Sequence, residues 1–354
     1  MSAFIHNAWY VAAWDHEITG DGMLARTILN VPVVFWRDGN GTLQALEDRC
    51  CHRGAPLSAG RKEGDAIRCL YHGLKFDCSG ACIEIPSQKN IPAKARVRAF
   101  PVVERQHWVW IWMGDAALAD ERDIPATPCL DHPDWNYIPG YVHYDTDYLL
   151  IADNLLDFSH FAYVHPTTLG EGGADEYSRS LPKVERLPNG VRITRWLIDQ
   201  PPAPFYRKIK QWDGNVDRWN NYDFVLPGVL LMDAGSAPTG TGAPQGSRAG
   251  AAELRSYQAL TPETEGSTHY FFSQPHNFAK GNPALTEAVH QGILTAFEED
   301  RRTIHAQQRS LAADPAFPML LLGMDAALVQ FRRLVDEHIA AESAGAAETV
   351  AGVA

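Results

Sequence analysis

No stretch of this 354-residue chain reaches the ~18 consecutive apolar residues of a membrane span. It has no long basic run, and its formal net charge is -12, which makes nucleic acid a poor partner. The first 17 residues hold one apolar run, residues 9–14, too short and without the basic start of a secretory leader, so a cytoplasmic protein is expected. Cysteine is scarce. Of six, five fall between Cys50 and Cys82, and such crowding in a reducing compartment points to metal binding rather than a disulfide framework. No internal repeat is visible. The apolar share, 45%, suffices for an ordinary core, and the length predicts two domains.

The first third reads as strand and turn. Residues 31–37 are β-branched and aromatic, Asp38, Gly39, Asn40 and Gly41 supply turn chemistry, and 43–47 returns; 97–103 and 108–113 read as further strands. An all-β domain over 1–115 is predicted. Beyond it, 149–164 lacks glycine and proline and is long enough for a helix, and a second helix is predicted at about 285–311. Strand-like stretches such as 191–198 and 268–273 lie between them, so a catalytic α+β domain over 116–340 is expected. The Gly-, Ala-, Pro- and Ser-rich segment 233–252 reads as a loop, a candidate lid over a pocket, and 341–354 as a flexible tail.

Two short boxes carry chemistry, Cys50-Cys51-His52 and Cys69-Leu70-Tyr71-His72. Each offers one thiolate and one imidazole in a tight loop. A [2Fe–2S] cluster takes four such ligands, and two histidines on one iron raise its potential. Cys50 and Cys69 would hold one iron, His52 and His72 the other. A Cys₂His₂ zinc site uses the same ligand types, but zinc fingers more often place both cysteines before both histidines. Cys51 is not a ligand in this reading, and Cys78, Cys82 and Cys129 are expected to be inert thiols.

A second metal site is legible in 149–164. Asp153, Asn154, Asp157 and His160, spaced three and four apart, share one face of a helix otherwise lined by leucine, isoleucine and phenylalanine. Polar groups at buried positions are costly unless paired or metal-bound. His165 follows His160 by five residues, about 500° of helical rotation, and would face away. Pro166, however, disfavours helical geometry at His165, and a helix that ends there lets both imidazoles converge. Two ordinary histidines are the competing reading. The third ligand should be a carboxylate. Val289, Ile293, Phe297 and Ile304 form an apolar stripe on the second helix, and Asp300 falls on that stripe while Glu298 and Glu299 fall off it. His160, His165 and Asp300 would then form the two-histidine, one-carboxylate triad of non-haem Fe(II) oxygenases. A buried ion pair of Asp300 with Arg301 remains the alternative, as does iron ligation by Asp157 in place of Asp300.

Cys50-x-His52 and Cys69-x-x-His72, followed by Asn154-x-x-Asp157-x-x-His160 and His165, resemble the Rieske non-haem iron oxygenase family. Residues 7–11, 52–57, 71–74 and 101–105 narrow the resemblance to oxygenase subunits of the vanillate O-demethylase, dicamba O-demethylase and toluenesulfonate methyl-monooxygenase type. Residues 69–75 and 235–244 are most similar to the last. The resemblance spans nearly the whole chain. It implies a Rieske β domain and a helix-grip catalytic domain, assembled as a homotrimer in which Asp157 bridges His72 of one subunit to His160 of the next. It implies a ferredoxin-type flavin reductase that brings electrons from NADH, and O₂ as co-substrate. The expected substrate is a small anionic aromatic whose methyl or O-methyl group is hydroxylated. Asn277, Gln258 and Arg255 fall in stretches that family members use to line the pocket. A ring-hydroxylating dioxygenase, a Rieske electron-transfer protein and a helix-grip binding protein are the alternatives. A pure electron carrier would leave the second triad, and most of the chain's length, unexplained.

Overall fold

The computed structural model of the chain describes residues 4–169 and 180–351. It divides into two compact units: residues up to Ala126 together with Thr261–Glu265, and Thr127–Leu260 with Gly266 onward.

The first unit is built from ten short strands: β1 (Trp9–Trp14), β2 (Met23–Ile28), β3 (Val31–Arg37), β4 (Leu43–Glu47), β5 (Arg61–Glu63), β6 (Ala66–Arg68), β7 (Lys75–Phe76), β8 (Cys82–Glu84), β9 (Val102–Arg105) and β10 (Trp108–Trp112). They form three antiparallel sheets, ordered β1-β10-β9, β2-β3-β4 and β5-β6-β7-β8. The β3–β4 hairpin follows from its turn residues. Asp38 Oδ1 accepts from the backbone of Asn40 and Thr42, and Gly41 takes φ 80°. Residues 97–103, expected as one strand, join a ladder only from Val102. Trp36, Ile67 and Phe76, all fully buried, pack with Cys50 and Cys69 in one apolar cluster beneath the β5–β8 sheet's loops.

The unit boundary lies later than 115. Residues 116–126 stay with the β unit because Trp9 Nε1 donates to the Asp120 carbonyl and Arg105 binds both the carbonyl and the carboxylate of Glu121. Short 3₁₀ turns, each capped by an aspartate, carry the chain through this stretch.

The second unit holds a seven-stranded antiparallel sheet of β11 (Gly140–Tyr144), β12 (Lys183–Leu187), β13 (Gly190–Gln200), β14 (Val216–Val225), β15 (Val229–Pro238), β16 (Ala252–Thr264, whose last residues belong to the first unit) and β17 (Ser267–Ser273). The order is β11-β17-β16-β15-β14-β13-β12. The first part of the expected lid, 233–252, is therefore strand, because Asp233 to Pro238 pair with β14 and Asp233 to Ser236 also with β16.

A long helix, Pro283–Ala313, starts on Asn282 as cap with proline in its first turn, and buries the face carrying Val289, Ile293, Phe297, Asp300 and Ile304. That face lies on the β11–β17 end of the sheet, where Tyr270 stacks on Phe297 at 4.9 Å. A second helix, Ala326–Ala351, packs Phe331 edge-on to Phe224 of β14. The expected flexible tail is thus helical to Ala351, because alanine and glutamate there favour continuing the turn; residues 352–354 of it lie outside the described residues. The architecture is the expected α+β class, an all-β domain followed by an antiparallel sheet gripping long helices. No helix among the described residues is long and apolar enough to cross a membrane.

Candidate metal centres and active-site cavity

The two Cys/His boxes occupy equivalent loops, one after β4 and one between β6 and β7. In the first, the Cys50 N–H donates to the Ala55 carbonyl and the Gly54 N–H to the Cys50 carbonyl; in the second, Cys69 pairs with Leu74 and Gly73 with Cys69 in the same pattern. Each loop closes through a glycine at positive φ, Gly54 at 71° and Gly73 at 74°. Burial separates the ligand types. Cys50 and Cys69 are buried free thiols, whereas His52 and His72 are exposed with ring centroids 4.6 Å apart. Burial pushes the Cys50 thiol up to about 11, against an opposing hydrogen bond from the His52 N–H. Two buried thiols facing each other, two imidazoles at the rim and an N–H aimed at sulfur form a donor set that fits a [2Fe–2S] cluster. Leu70 and Tyr71, between the second pair of ligands, are exposed at 68% and 60%.

The expected helix 149–164 is broken. The helix α1 (Tyr148–Leu156) ends at Asp157, whose φ of -130° leaves helical space; a 3₁₀ turn (Phe158–His160) and a four-residue helix α2 (Phe161–Val164) follow. Asp157 causes the break by capping: its carboxylate accepts from the Ser159 N–H at 2.8 Å and the Ser159 hydroxyl at 2.7 Å. The shared face inferred from spacing accordingly stops at Asn154. Asp153 is held by Arg332 of the helix Ala326–Ala351, at 2.5 to 3.1 Å.

The break solves the five-residue problem. His160 and His165 end with ring centroids 5.2 Å apart, and one ligand atom from each lies with a carboxylate oxygen of Asp300 inside a sphere of mutual distances within 4.8 Å. His160 Nε2 is 3.4 Å and His165 Nε2 3.1 Å from Asp300 Oδ1. The far nitrogens are fixed from behind, Nδ1 of His160 on the Asp157 main-chain carbonyl at 2.6 Å and Nδ1 of His165 on Glu299 at 2.8 Å. Both Nε2 lone pairs are therefore turned toward Asp300. His165 is wholly buried, and its Nε2 makes no hydrogen bond despite the 3.1 Å approach. A buried nitrogen aimed at a carboxylate without bonding it is the arrangement a shared cation satisfies, and the donor set fits mononuclear iron. Burial pushes the Asp300 carboxyl up, but the two imidazoles outweigh it and hold the group below the usual carboxylate range. The Arg301 alternative fails, since Arg301 binds Glu298 at 2.7 and 3.0 Å.

Asn154 donates to Asp300 Oδ1 at 3.0 Å. Sequence reasoning missed Glu299, which fell off the apolar stripe. It reaches His165 sideways and is itself bound by Thr168 Oγ1 at 2.6 Å. The signal available was a carboxylate adjacent to a ligand carboxylate, which is weak.

A cavity opens beside the triad. Asn154, His160 and Asp300 form one wall; Phe158, Phe161, Phe205 and Phe297 make it largely apolar, and strands β14 to β16 supply Arg218, Asn220, Ser256 and Gln258. Of the three residues expected to meet substrate, only Gln258 lines it. Its amide donates to Ser256 Oγ at 2.7 Å, and its carbonyl accepts from the Tyr270 hydroxyl. Arg255 has the opposite strand parity. It pairs with Asp233 across the β15–β16 ladder at 2.6 Å and covers the Trp135 ring. Asn277 is spent on Glu253, donating to its carboxylate at 2.9 Å and accepting from its N–H at 3.3 Å.

Residues 8–101 match the Rieske [2Fe–2S] domain, and residues 144–341 match the vanillate O-demethylase oxygenase C-terminal domain. The chain belongs to the Rieske non-haem iron oxygenases, in the vanillate O-demethylase oxygenase branch. It is 49% identical to the iron-sulfur subunit of a toluene-4-sulfonate monooxygenase system from Comamonas testosteroni, over 97% of this chain and 99% of that protein. It is 37% identical to a vanillate O-demethylase oxygenase subunit from a Pseudomonas species, over 97% of each. The structure of dicamba monooxygenase bound to dicamba superposes with a TM-score of 0.86 at 34% identity, covering 96% of this chain and 99% of that one.

Proposed function

We propose that the protein is the terminal component of a Rieske monooxygenase system that hydroxylates the methyl or O-methyl substituent of a small anionic aromatic. The observation that carries this reading is the triad of His160, His165 and Asp300, of which His160 and Asp300 line an apolar cavity beside it. The overall balance is R–CH₃ + O₂ + 2 e⁻ + 2 H⁺ → R–CH₂OH + H₂O. An O-methyl substrate gives a hemiacetal that collapses to a phenol and formaldehyde.

When bound, the cluster supplies electrons one at a time and the mononuclear iron supplies the site at which O₂ is activated. The chain's own residues do the rest. Cys50, Cys69, His52 and His72 would hold the cluster, and His160, His165 and Asp300 the iron. Glu299 and the Asp157 carbonyl keep both iron-side imidazoles in the ligating tautomer. Asn154 steadies the Asp300 carboxylate through its 3.0 Å bond. The phenylalanines around the cavity exclude water and receive the ring.

In the same reading the exposed rim of His52, His72, Leu70 and Tyr71 docks on a neighbouring copy in a homotrimer. There the Asp157 carboxylate, which the Ser159 bonds leave with spare lone pairs, links the partner's cluster histidine to His160. A ferredoxin-type flavin reductase brings electrons from NADH, and the six free thiols suit the reducing cytoplasm. The similarity to the toluene-4-sulfonate system favours a ring methyl as the target.

Product analysis tests this. Iron-loaded protein with a flavin reductase, NADH and ¹⁸O₂ is offered p-toluenesulfonate, vanillate and isovanillate, and products are identified by mass spectrometry. A labelled benzylic alcohol is the expected product. A phenol with formaldehyde would move the target to an O-methyl group, and a cis-diol would overturn the monooxygenase reading.

A further inference from the structure

The turn after His165, the helix Pro204–Ile209 and the long helix Pro283–Ala313 bound a second cavity. Leu169, Phe205 and Ile293 line it and the iron-side cavity alike, so the two chambers adjoin at these three side chains. Its outer rim carries Thr167 and Ala288, both exposed, and its inner end Val289 and Ile293, both buried. Among the described residues that line it none is charged. The Thr168 hydroxyl on its wall is already spent on Glu299 at 2.6 Å.

Gly292 shows that the space is kept rather than left over. It lines the chamber from well inside the helix Pro283–Ala313, where glycine costs a helix more than any residue but proline. No close approach requires it. A Cβ at Gly292 would meet nothing within 4 Å beyond its chain neighbours and its own helix backbone. Gly140 and Gly235 of the sheet differ, since a Cβ there would lie 2.2 Å from the Phe272 ring or 2.3 Å from the Trp219 ring. Gly345 is as unencumbered as Gly292, but it is exposed, whereas Gly292 is half-buried and its open space is the chamber. Walls without charge or a spare hydrogen-bonding group gain most from a hydrocarbon, because burying apolar surface is what such a chamber can reward.

We propose that this chamber is an alkyl-binding annex of the substrate cavity, held open by Gly292, and that the protein takes aromatic substrates carrying an apolar chain. The ring lies on the iron side and the chain reaches past Phe205. The proposal rests on the reading of the iron-side cavity as the seat of the substrate's ring, and it makes Gly292 a specificity-determining residue.

The test is calorimetric binding to the iron-loaded full chain with two series of probes, p-alkylbenzenesulfonates and neutral 4-alkylphenols, each from methyl to pentyl. A buried methylene tightens binding about fourfold, so the wild-type Kd should fall about 30-fold or more from methyl to pentyl. Gly292→Leu should cut that ratio to about fivefold or less. Ala288→Leu fills the chamber from its exposed rim, and it carries the same comparison if the glycine variant does not fold. Gly292→Ala should raise the melting temperature, because the helix gains and nothing is displaced; a lower one would mean that the position is packed, and would overturn the annex. A flat series in wild type overturns it too, as does a ratio within about twofold of wild type in both filled variants. Slower association at every chain length with the ratio intact would make the chamber an entrance only, and the annex would fall. The two series separate this proposal from the wider reading. A chain-length gain in the phenols with no binding of any sulfonate sinks the anionic substrate class and leaves the annex standing. Sulfonates that bind and are hydroxylated without a chain-length gain sink the annex alone.

Discussion

Replacing Glu299 with alanine should weaken iron binding without touching an iron ligand. His165 is fully enclosed, and Glu299 is the acceptor for its Nδ1 at 2.8 Å. Without that carboxylate the imidazole can move its proton to Nε2, the nitrogen that faces Asp300 at 3.1 Å, and a protonated Nε2 cannot ligate a metal. Losing such an outer partner lowers metal affinity by ~10- to 100-fold, or ~1.4–2.7 kcal/mol. The upper end is expected here, because the ring's full burial leaves no water to take the carboxylate's place. Glu299→Gln keeps an oxygen on the acceptor side and should lose ~10-fold or less. Thr168→Val removes only the 2.6 Å hydroxyl bond to the same carboxylate oxygen and should lose least. The assay is competition of the protein with a chelator for Fe(II), read alongside the visible absorbance of the cluster, whose ligands all lie in the other unit. The expected pattern is graded loss of iron at constant cluster content. An affinity within twofold of wild type in Glu299→Ala would refute the argument that this contact holds the tautomer.

Asp157→Asn should keep both metals and the 3₁₀ turn, since an amide oxygen can still cap the Ser159 N–H, yet lose most turnover; normal turnover in a metal-replete variant would remove the carboxylate from the electron path. Arg332→Ala leaves the Asp153 carboxylate largely buried without its guanidinium, and should cost ~2 kcal/mol in a denaturant melt, less than a fully enclosed pair because Arg332 is 33% exposed. Gly73→Ala forces a side chain into φ 74° with its Cβ 2.9 Å from Pro86, so cluster absorbance per chain should fall along with a ~1–2 kcal/mol loss of stability. Gly64→Ala, at φ 64° but with open space around it, should lose stability alone.

The candidate metal ligands were legible because their chemistry restricts residue type. Two Cys/His pairs, two histidines and an aspartate on an apolar stripe have few uses besides holding metal, and the structure brings each set together. The helix break was not legible. Residues 149–164 contain no glycine or proline, and Asp157 reads equally well as a polar residue on a continuing helix or as a cap; only the Ser159 side chain two positions later decides it. Two of the three expected cavity residues, Arg255 and Asn277, fall away from it for a different reason. On β16, Arg255 and Gln258 are both polar residues in one strand, and nothing local says which parity faces the cavity. The answer lies in the ladder with β15, where Arg255 meets Asp233. Arg218 and Asn220 escaped notice because β14, Val216–Val225, carries polar residues on both faces and so shows no alternation at all.

The same break also explains why two histidines five residues apart can serve one metal. On an uninterrupted helix their imidazoles would diverge by about 140°. Here the backbone leaves helical space at Asp157, so His160 starts a new turn, and its Nδ1 bonds the Asp157 carbonyl at 2.6 Å. His165 ends that turn at φ -115°, with its N–H still bonded to the Phe161 carbonyl, and Pro166 prevents any continuation. Asp157 therefore acts twice within this chain, through its carboxylate as the cap that creates the break and through its carbonyl as the anchor of the first imidazole. A substitution there that abolishes capping, such as Asp157→Ala, would disturb the iron site by geometry alone. The isosteric asparagine is for that reason the variant that isolates the carboxylate's charge.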